Sequence, residues 1–174
     1  MVDYKIPGVV TFEFTKILGL DNIEFGRNII IDDFVFIYAK NRTKIGNNTH
    51  IGTFSSIIVG DRFSMGDFSA ISHGCRVFTR SDDYTGWGFG NPAIDEKYRN
   101  IKSGPVNIGK FAIIGANSVI LPGVSIGEGA TVGACSVVTH DLEPWGIYVR
   151  NKKVKDRDKE GVLTNYERYL EENQ

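Results

Sequence analysis

A chain of 174 residues is long enough for one domain with a sizeable core. Lysine and arginine (20) nearly balance aspartate and glutamate (21), for a formal net charge of -1, which argues against nucleic acid or another polyanion as a partner. Twenty glycines beside only five prolines suit a chain with many tight corners rather than a disordered one.

The N-terminus shows no basic-then-apolar leader, and no run approaches the ~20 apolar residues of a membrane span, so a cytoplasmic protein is expected. Cys75 and Cys135 lack CxxC spacing and read as buried, reduced thiols at small-residue positions.

Residues 1–22 alternate Val9, Val10, Phe12 and Phe14, then offer Ile17, Leu18 and Leu20. This pattern predicts a strand or extended arm that caps an open-ended core. Imperfect six-residue spacing begins at Ile23, Ile29 and Val35, steps by ten to Ile45-Gly46 and Ile51-Gly52, and slips by two after Ile57. It resumes at Val59-Gly60, Met65-Gly66, Ile71 and Val77.

From Thr79 to Pro105 the period vanishes, and the stretch holds Trp87, Phe89, Pro92 and Tyr98. So long a segment without periodicity inside a repeat array is usually functional. Its aromatics either pack back on the array or belong to an arm that builds a site with a neighbouring copy.

The strongest signal lies at 106–138. Ile108, Ile114, Ile120, Ile126, Val132 and Val138 stand six apart, and glycine directly follows four of them. Four residues past the first five come Ala112, Ser118, Val124, Ala130 and Ser136. Neither a helix of period 3.6 nor an alternating strand gives this pattern, whereas a chain turning a corner every six residues does. The predicted fold is all-β: a parallel β-helix over 23–149, with the loop 79–105 extruded from it. A turn-rich exit follows, then a basic segment from Arg150. Val162, Leu163, Tyr166, Tyr169 and Leu170 at helical spacing predict a short C-terminal helix docked on its side. The whole of 1–174 reads as a single domain.

Ile113-Ile114-Gly115-Ala116, Leu121 through Gly127, Val132-Gly133-Ala134, Ser136 through Thr139 and Pro144-Trp145-Gly146-Ile147 resemble one family. They are similar to the C-terminal half of the hexapeptide-repeat acyltransferases, of the maltose/galactoside and colanic-acid acetyltransferase type. The resemblance covers about residues 45–157. It implies a left-handed β-helix, a homotrimer, and acetyl-CoA in the groove between subunits, with no metal. Left-handed crossovers run against the general right-handed rule, so the hand rests on the resemblance alone.

Relatives place a catalytic histidine in the extruded loop. Here the corresponding columns read Thr79-Arg80-Ser81-Asp82-Asp83-Tyr84, so Asp82 stands where the base is expected, with Asp83 and Tyr84 beside it as candidate substrate contacts. By the same resemblance Ala116, Ala134, Thr139 and His140 match coenzyme-binding positions, with Lys152 and Lys155 as partners for its phosphates. A backbone N–H near Ala116 or Ala134 would serve as oxyanion donor.

The substitution has a chemical consequence. A hydroxyl of pKa roughly 15 needs its proton taken as it attacks a thioester, a task suited to imidazole and poorly suited to an ordinary carboxylate. A neutral amine is already nucleophilic and needs orientation. Acetylation of a nucleotide-linked amino sugar for a surface polysaccharide is therefore favoured over O-acetylation, in which His73 would be the competing base. A zinc enzyme of the γ-carbonic anhydrase kind needs three clustered histidines, and His50, His73 and His140 are widely spaced. A non-catalytic binding solenoid is the remaining alternative.

Overall fold

A computed structural model describes residues 4–83 and 85–173. The chain coils into a three-sided parallel β-helix whose strands stack on the equivalent strand of the next coil. The first face carries eight strands, from Val9–Thr11 through Ile29–Ile31, Thr49–Ile51, Ala70–Ile71, Ile113–Ile114 and Thr131–Val132 to Gly146–Val149, closed by the antiparallel Lys152–Asp156. The second face has six, Lys16–Leu18 to Val137–Val138, and the third has five, Ile23–Phe25 to Ser125–Ile126.

The ladder registers explain the broken period of the N-terminal half. Ile30 pairs with His50 and His50 with Ala70, so one early coil takes 20 residues, whereas Ile113 pairs with Thr131, a later coil of 18. The additional pair lengthens the second-face strand, as in Ser56–Val59, where Ile57 and Val59 are both buried. Side chains alternate along a strand with period two, so inserting two residues keeps the inward row inward. The slip of two is a longer face and leaves the core uninterrupted.

That core is a stack of aliphatics, with Ile31, Ile51, Ile71 and Ile114 on the first face and Ile37, Ile57, Val77 and Ile120 on the second, all fully buried. The first coil begins at Val9, not at 23: Val9–Thr11 and Lys16–Leu18 pair in register with Ile29–Ile31 and Phe36–Tyr38. The predicted cap is thus itself a coil.

Three edges join the faces. At the first edge, between the first and second faces, Phe34, Phe54 and Cys135 sit in the left-handed region with φ of 59°, 60° and 58°. Cys135 therefore points out from a corner and is exposed, correcting the expectation of two buried thiols; Cys75 is buried. At the third edge, Phe68 and Phe111 meet Tyr166 at ring separations of 5.1 Å and dock the C-terminal helix Lys159–Glu172 against the coil. Lys110 Nζ lies 3.9 Å from the centre of the Tyr166 ring. Asp158 caps that helix by accepting from Gly161 N.

Candidate active site

The extruded loop leaves from the second edge. In the third face Val106 pairs with Phe63, 43 positions earlier where a plain coil needs 20, so the excess is looped out. Its base is closed by Gly104 N donating to the Thr79 carbonyl and by an antiparallel ladder of Arg80–Asp82 with Ile101–Ser103. Trp87, Phe89 and Tyr98 are 75%, 61% and 52% exposed, so these rings do not pack back on the coil.

This ladder fixes Asp82. Arg99 grips its carboxylate as a fork, Nε donating to Oδ1 at 2.9 Å and Nη2 to Oδ2 at 3.0 Å, with only 17% of the aspartate side chain exposed. A carboxylate has about four lone-pair sites, so two remain for another donor. Nothing in the sequence singled out Arg99, because the pairing depends on a 17-residue return of the loop that carries no period.

Asp83, the residue after this strand, is held by other partners. Its carboxylate accepts from Thr85 Oγ1 at 2.7 Å, Thr85 N at 3.0 Å and Asn100 Nδ2 at 3.0 Å, with Lys102 Nζ at 3.6 Å. The hydrogen bonds from Thr85, with the Lys102 charge, hold this carboxyl below the usual carboxylate range. These bonds fix the carboxylate on the wall of a cavity that Asp82 also lines. Tyr84 lies outside the described residues.

Two cavities meet at this point. One, of about 240 Å³, is walled by Ser81, Asp82, Asp83, Thr85 and Lys102 on the loop side and by Leu121, Pro122 and Thr139 of later coils. The other, of about 330 Å³, opens on Tyr38, Lys40, Ile58 and Phe78 of early coils and again includes Ser81 and Asp82. Asp82 thus stands on the wall between a compartment of the early coils and one of the late coils.

The remaining candidates divide between edges. Thr139 and His140 follow the last second-face strand at the second edge, near the 240 Å³ cavity. Thr139 is held by Asn151, which accepts from Thr139 N at 3.1 Å and donates to its Oγ1 at 3.1 Å, and His140 Nδ1 lies 3.3 Å from that hydroxyl. Ala116 and Ala134 stack at the first edge, where the Cys135 N–H donates to the Ala116 carbonyl at 2.8 Å. Lys152 and Lys155 lie exposed on Lys152–Asp156 and make no ion pair among the described residues. Lys153 between them pairs with Asp156 at 2.7 Å, a bond that pushes the Lys153 ammonium pKa up.

His73 also sits at the first edge, its Nδ1 3.9 Å from Asp32 Oδ2, an atom that lies 3.1 Å from His50 Nε2. The second-face strand Arg76–Phe78 separates it from the loop, and the residues between the two edges span roughly 15 Å. Within one chain His73 and the loop's root thus stand at different edges.

Comparison with known proteins bears on this arrangement. The family model for the bacterial transferase hexapeptide (six repeats) matches residues 105–140. A dTDP-4-amino-4,6-dideoxy-D-glucose acyltransferase of Escherichia coli is 39% identical over 144 residues, covering 81% of this chain and 75% of that one. This chain belongs to the hexapeptide-repeat acyltransferases. AntD, an N-acyltransferase from Bacillus cereus solved with dTDP and 3-hydroxybutyryl-CoA, superposes with a TM-score of 0.90 at 35% identity over 96% of this chain and 89% of its own. AntD has also been solved with substitutions at a serine and at an aspartate ten residues further on. The acetyltransferase domain of PglB from Neisseria gonorrhoeae, at 15% identity and a TM-score of 0.62 over 85% of this chain and 57% of that one, shares the fold.

Proposed function

We propose that this acyltransferase uses acetyl-CoA to N-acetylate a dTDP-linked amino sugar of the 4-amino-4,6-dideoxyglucose type, in the cytoplasm, for a surface polysaccharide such as lipopolysaccharide. The observation that carries this reading is Asp82, forked to Arg99 on the wall between two cavities, where relatives are expected to carry histidine.

The chemistry follows from what such a carboxylate does well. With two lone-pair sites held by Arg99, its remaining sites accept hydrogen bonds from the acceptor's amine and aim the nitrogen lone pair at the thioester carbon. The C–N bond forms, an oxyanion develops, and the corner N–H groups near Ala116 and Ala134 are suited to receive it. Collapse breaks the C–S bond; the nitrogen loses its proton and the departing thiolate gains one, leaving an amide and free CoA. Thr139 and His140 line the donor side, and Lys152 and Lys155 supply charge for its phosphates.

The functional residues lie on two edges of one prism, which favours a site completed by a second copy in a homotrimer. The exposed ladder of Phe14, Phe34 and Phe54, stacked at 5.2 Å along the first edge with Val10 and Ile30 beside it, gives such an assembly an apolar surface to bury. Ser72 and Asp82 form the chain's own serine–aspartate pair ten residues apart, matching the spacing of the two positions substituted in AntD. Ser72, next to His73 on the first edge, is therefore added to the proposed site.

The test is thiol release from acetyl-CoA with a dTDP-linked amino sugar as acceptor. Replacing Asp82 by Asn should lower kcat/KM at least ~100-fold, on the scale of a lost positioning or proton-transfer group. His73→Ala should cost less than ~10-fold. A rate abolished only by His73→Ala would transfer the base to His73 and favour O-acetylation.

A further inference from the structure

A cavity of about 300 Å³ lies at the third edge, between the coil and the C-terminal helix. Phe68, Phe111 and Ile113 line its coil side, and Val162, Tyr166 and Tyr169 its helix side. The rings stand nearly upright to one another, with Tyr166 turned 74° from Phe68 and 72° from Phe111. Lys110 Nζ lies 4.6 Å from the centre of the Phe111 ring as well as over Tyr166, which ties the two sides of this wall together. The contacts that dock the helix thus also shape the cavity.

Arg157 gives this apolar cavity a charge. Its backbone N–H donates to the Trp145 carbonyl at 2.7 Å, and the residue is half-buried. Nη1 donates to the carbonyls of Phe111 and Gly129 at 2.7 and 3.0 Å, two successive corner residues of the third edge with φ of 61° and 66°. A guanidinium has five N–H donors, so the edge formed by Nε and Nη2 keeps three. Arg99 grips Asp82 with that same edge. Arg157, by contrast, meets no carboxylate among the described residues, and burial pushes its pKa down. The acids nearest in sequence are engaged elsewhere, Asp156 with Lys153 and Asp158 with Gly161 N. A partly desolvated cation of this kind is stabilised by an anion placed on its remaining donors.

From this geometry we infer that the third-edge cavity binds a flat aromatic carboxylate. The carboxylate takes the Nε–Nη2 edge of Arg157 as a fork, because two parallel N–H bonds match its two oxygens. The ring lies against Ile113 and the Phe111 and Tyr166 side chains, where edge-to-face contacts suit it. The volume is at the lower end of ordinary small-molecule sites, roughly 300–1,000 Å³, which selects an acid of one or two rings. Such a ligand touches coil and helix together, so its binding stabilises the docked helix. The third-face strand Val106–Ile108 stands between this cavity and Asp82, and a ligand held here leaves the acetyl-transfer groups at the first and second edges uncovered.

The experiment titrates naphthoate and its neutral amide, naphthamide, into the full-length protein by calorimetry, with the melting temperature read in parallel. Naphthoate should bind with a Kd of about 1 mM or tighter, at least ~10-fold better than the amide, and should raise the melting temperature as its concentration rises. Arg157→Gln should bring naphthoate down to the affinity of the amide. Val162→Trp, which keeps Arg157 and fills the cavity from the helix side, should weaken acid and amide alike at least ~10-fold. Saturating CoA or dTDP should leave naphthoate binding unchanged. Should Arg157→Gln fail to fold for want of the two corner bonds, the acid-to-amide ratio in the wild type and the Val162→Trp variant still decide the matter. Wild-type protein that binds acid and amide equally or binds neither, naphthoate affinity unchanged in either folded variant, or displacement of naphthoate by CoA would each overturn the site.

Discussion

Asp82 and Asp83 are neighbours of identical chemistry held by different partners. One carboxylate meets the Arg99 fork between two cavities, while the other, on the wall of one of them, accepts from Thr85 and Asn100 beside Lys102. The sequence made Asp82 conspicuous as a departure from an expected histidine, but it held no sign of the partners of either aspartate, because Arg99, Asn100 and Lys102 return to them only through the loop. The cysteines show the same limit. Both read as small-residue positions in the sequence, yet Cys135 stands at the corner, one place before the inward Ser136, while Cys75 is inward. Burial pushes the Cys75 thiol up, whereas Cys135 is exposed. A thiol reagent at pH 8 should therefore label one cysteine within minutes, and Cys135→Ser should abolish that fast phase. Two fast thiols would contradict the burial of Cys75, and none would contradict the corner placement of Cys135. The raised Cys75 value also means that any stability linked to this thiol is present at neutral pH and declines as pH rises through its folded value.

Among the elements, the hexads at 106–138 were readable because six-residue steps leave no other fold open, and every strand they predict is present. The loop was readable only as a gap in the period. Its hairpin base and its 3₁₀ turn Glu96–Tyr98 depend on pairings that no local pattern announces. Asp83 ties Thr85, where the loop sets out, to Asn100 and Lys102, where it returns, which makes the loop's order sensitive to acid. A carboxyl held below its unfolded value contributes stability above about pH 4 and loses it as pH falls through the folded value. Asp83→Asn should thus resemble acidification, with proteolysis inside 85–100 at pH 7 becoming several-fold faster while the unfolding transition of the β-helix moves little. Unchanged cleavage would show that the loop does not depend on this residue. By contrast Ile114, fully buried on the first face, belongs to the cooperative core, where truncation to alanine typically costs about 2–5 kcal/mol.

Across the whole molecule, the proposed functional groups divide between two edges of one prism. Asp82, Thr139 and His140 stand at the second edge; Ser72, His73, Ala116 and Ala134 stand at the first. The Phe14–Phe34–Phe54 ladder runs along that first edge. If the trimer forms through this surface, Phe34→Glu should shift the sedimentation profile toward monomer and remove activity with it. A fully active monomer would contradict a shared site. The central claim, however, is about the atom acylated, and one comparison tests it directly. Free-thiol release from acetyl-CoA is followed with a dTDP-linked amino sugar and with the same nucleotide sugar bearing a hydroxyl in place of the amine. The account predicts turnover at least ~100-fold faster with the amine; equal or faster release with the hydroxyl compound would contradict it.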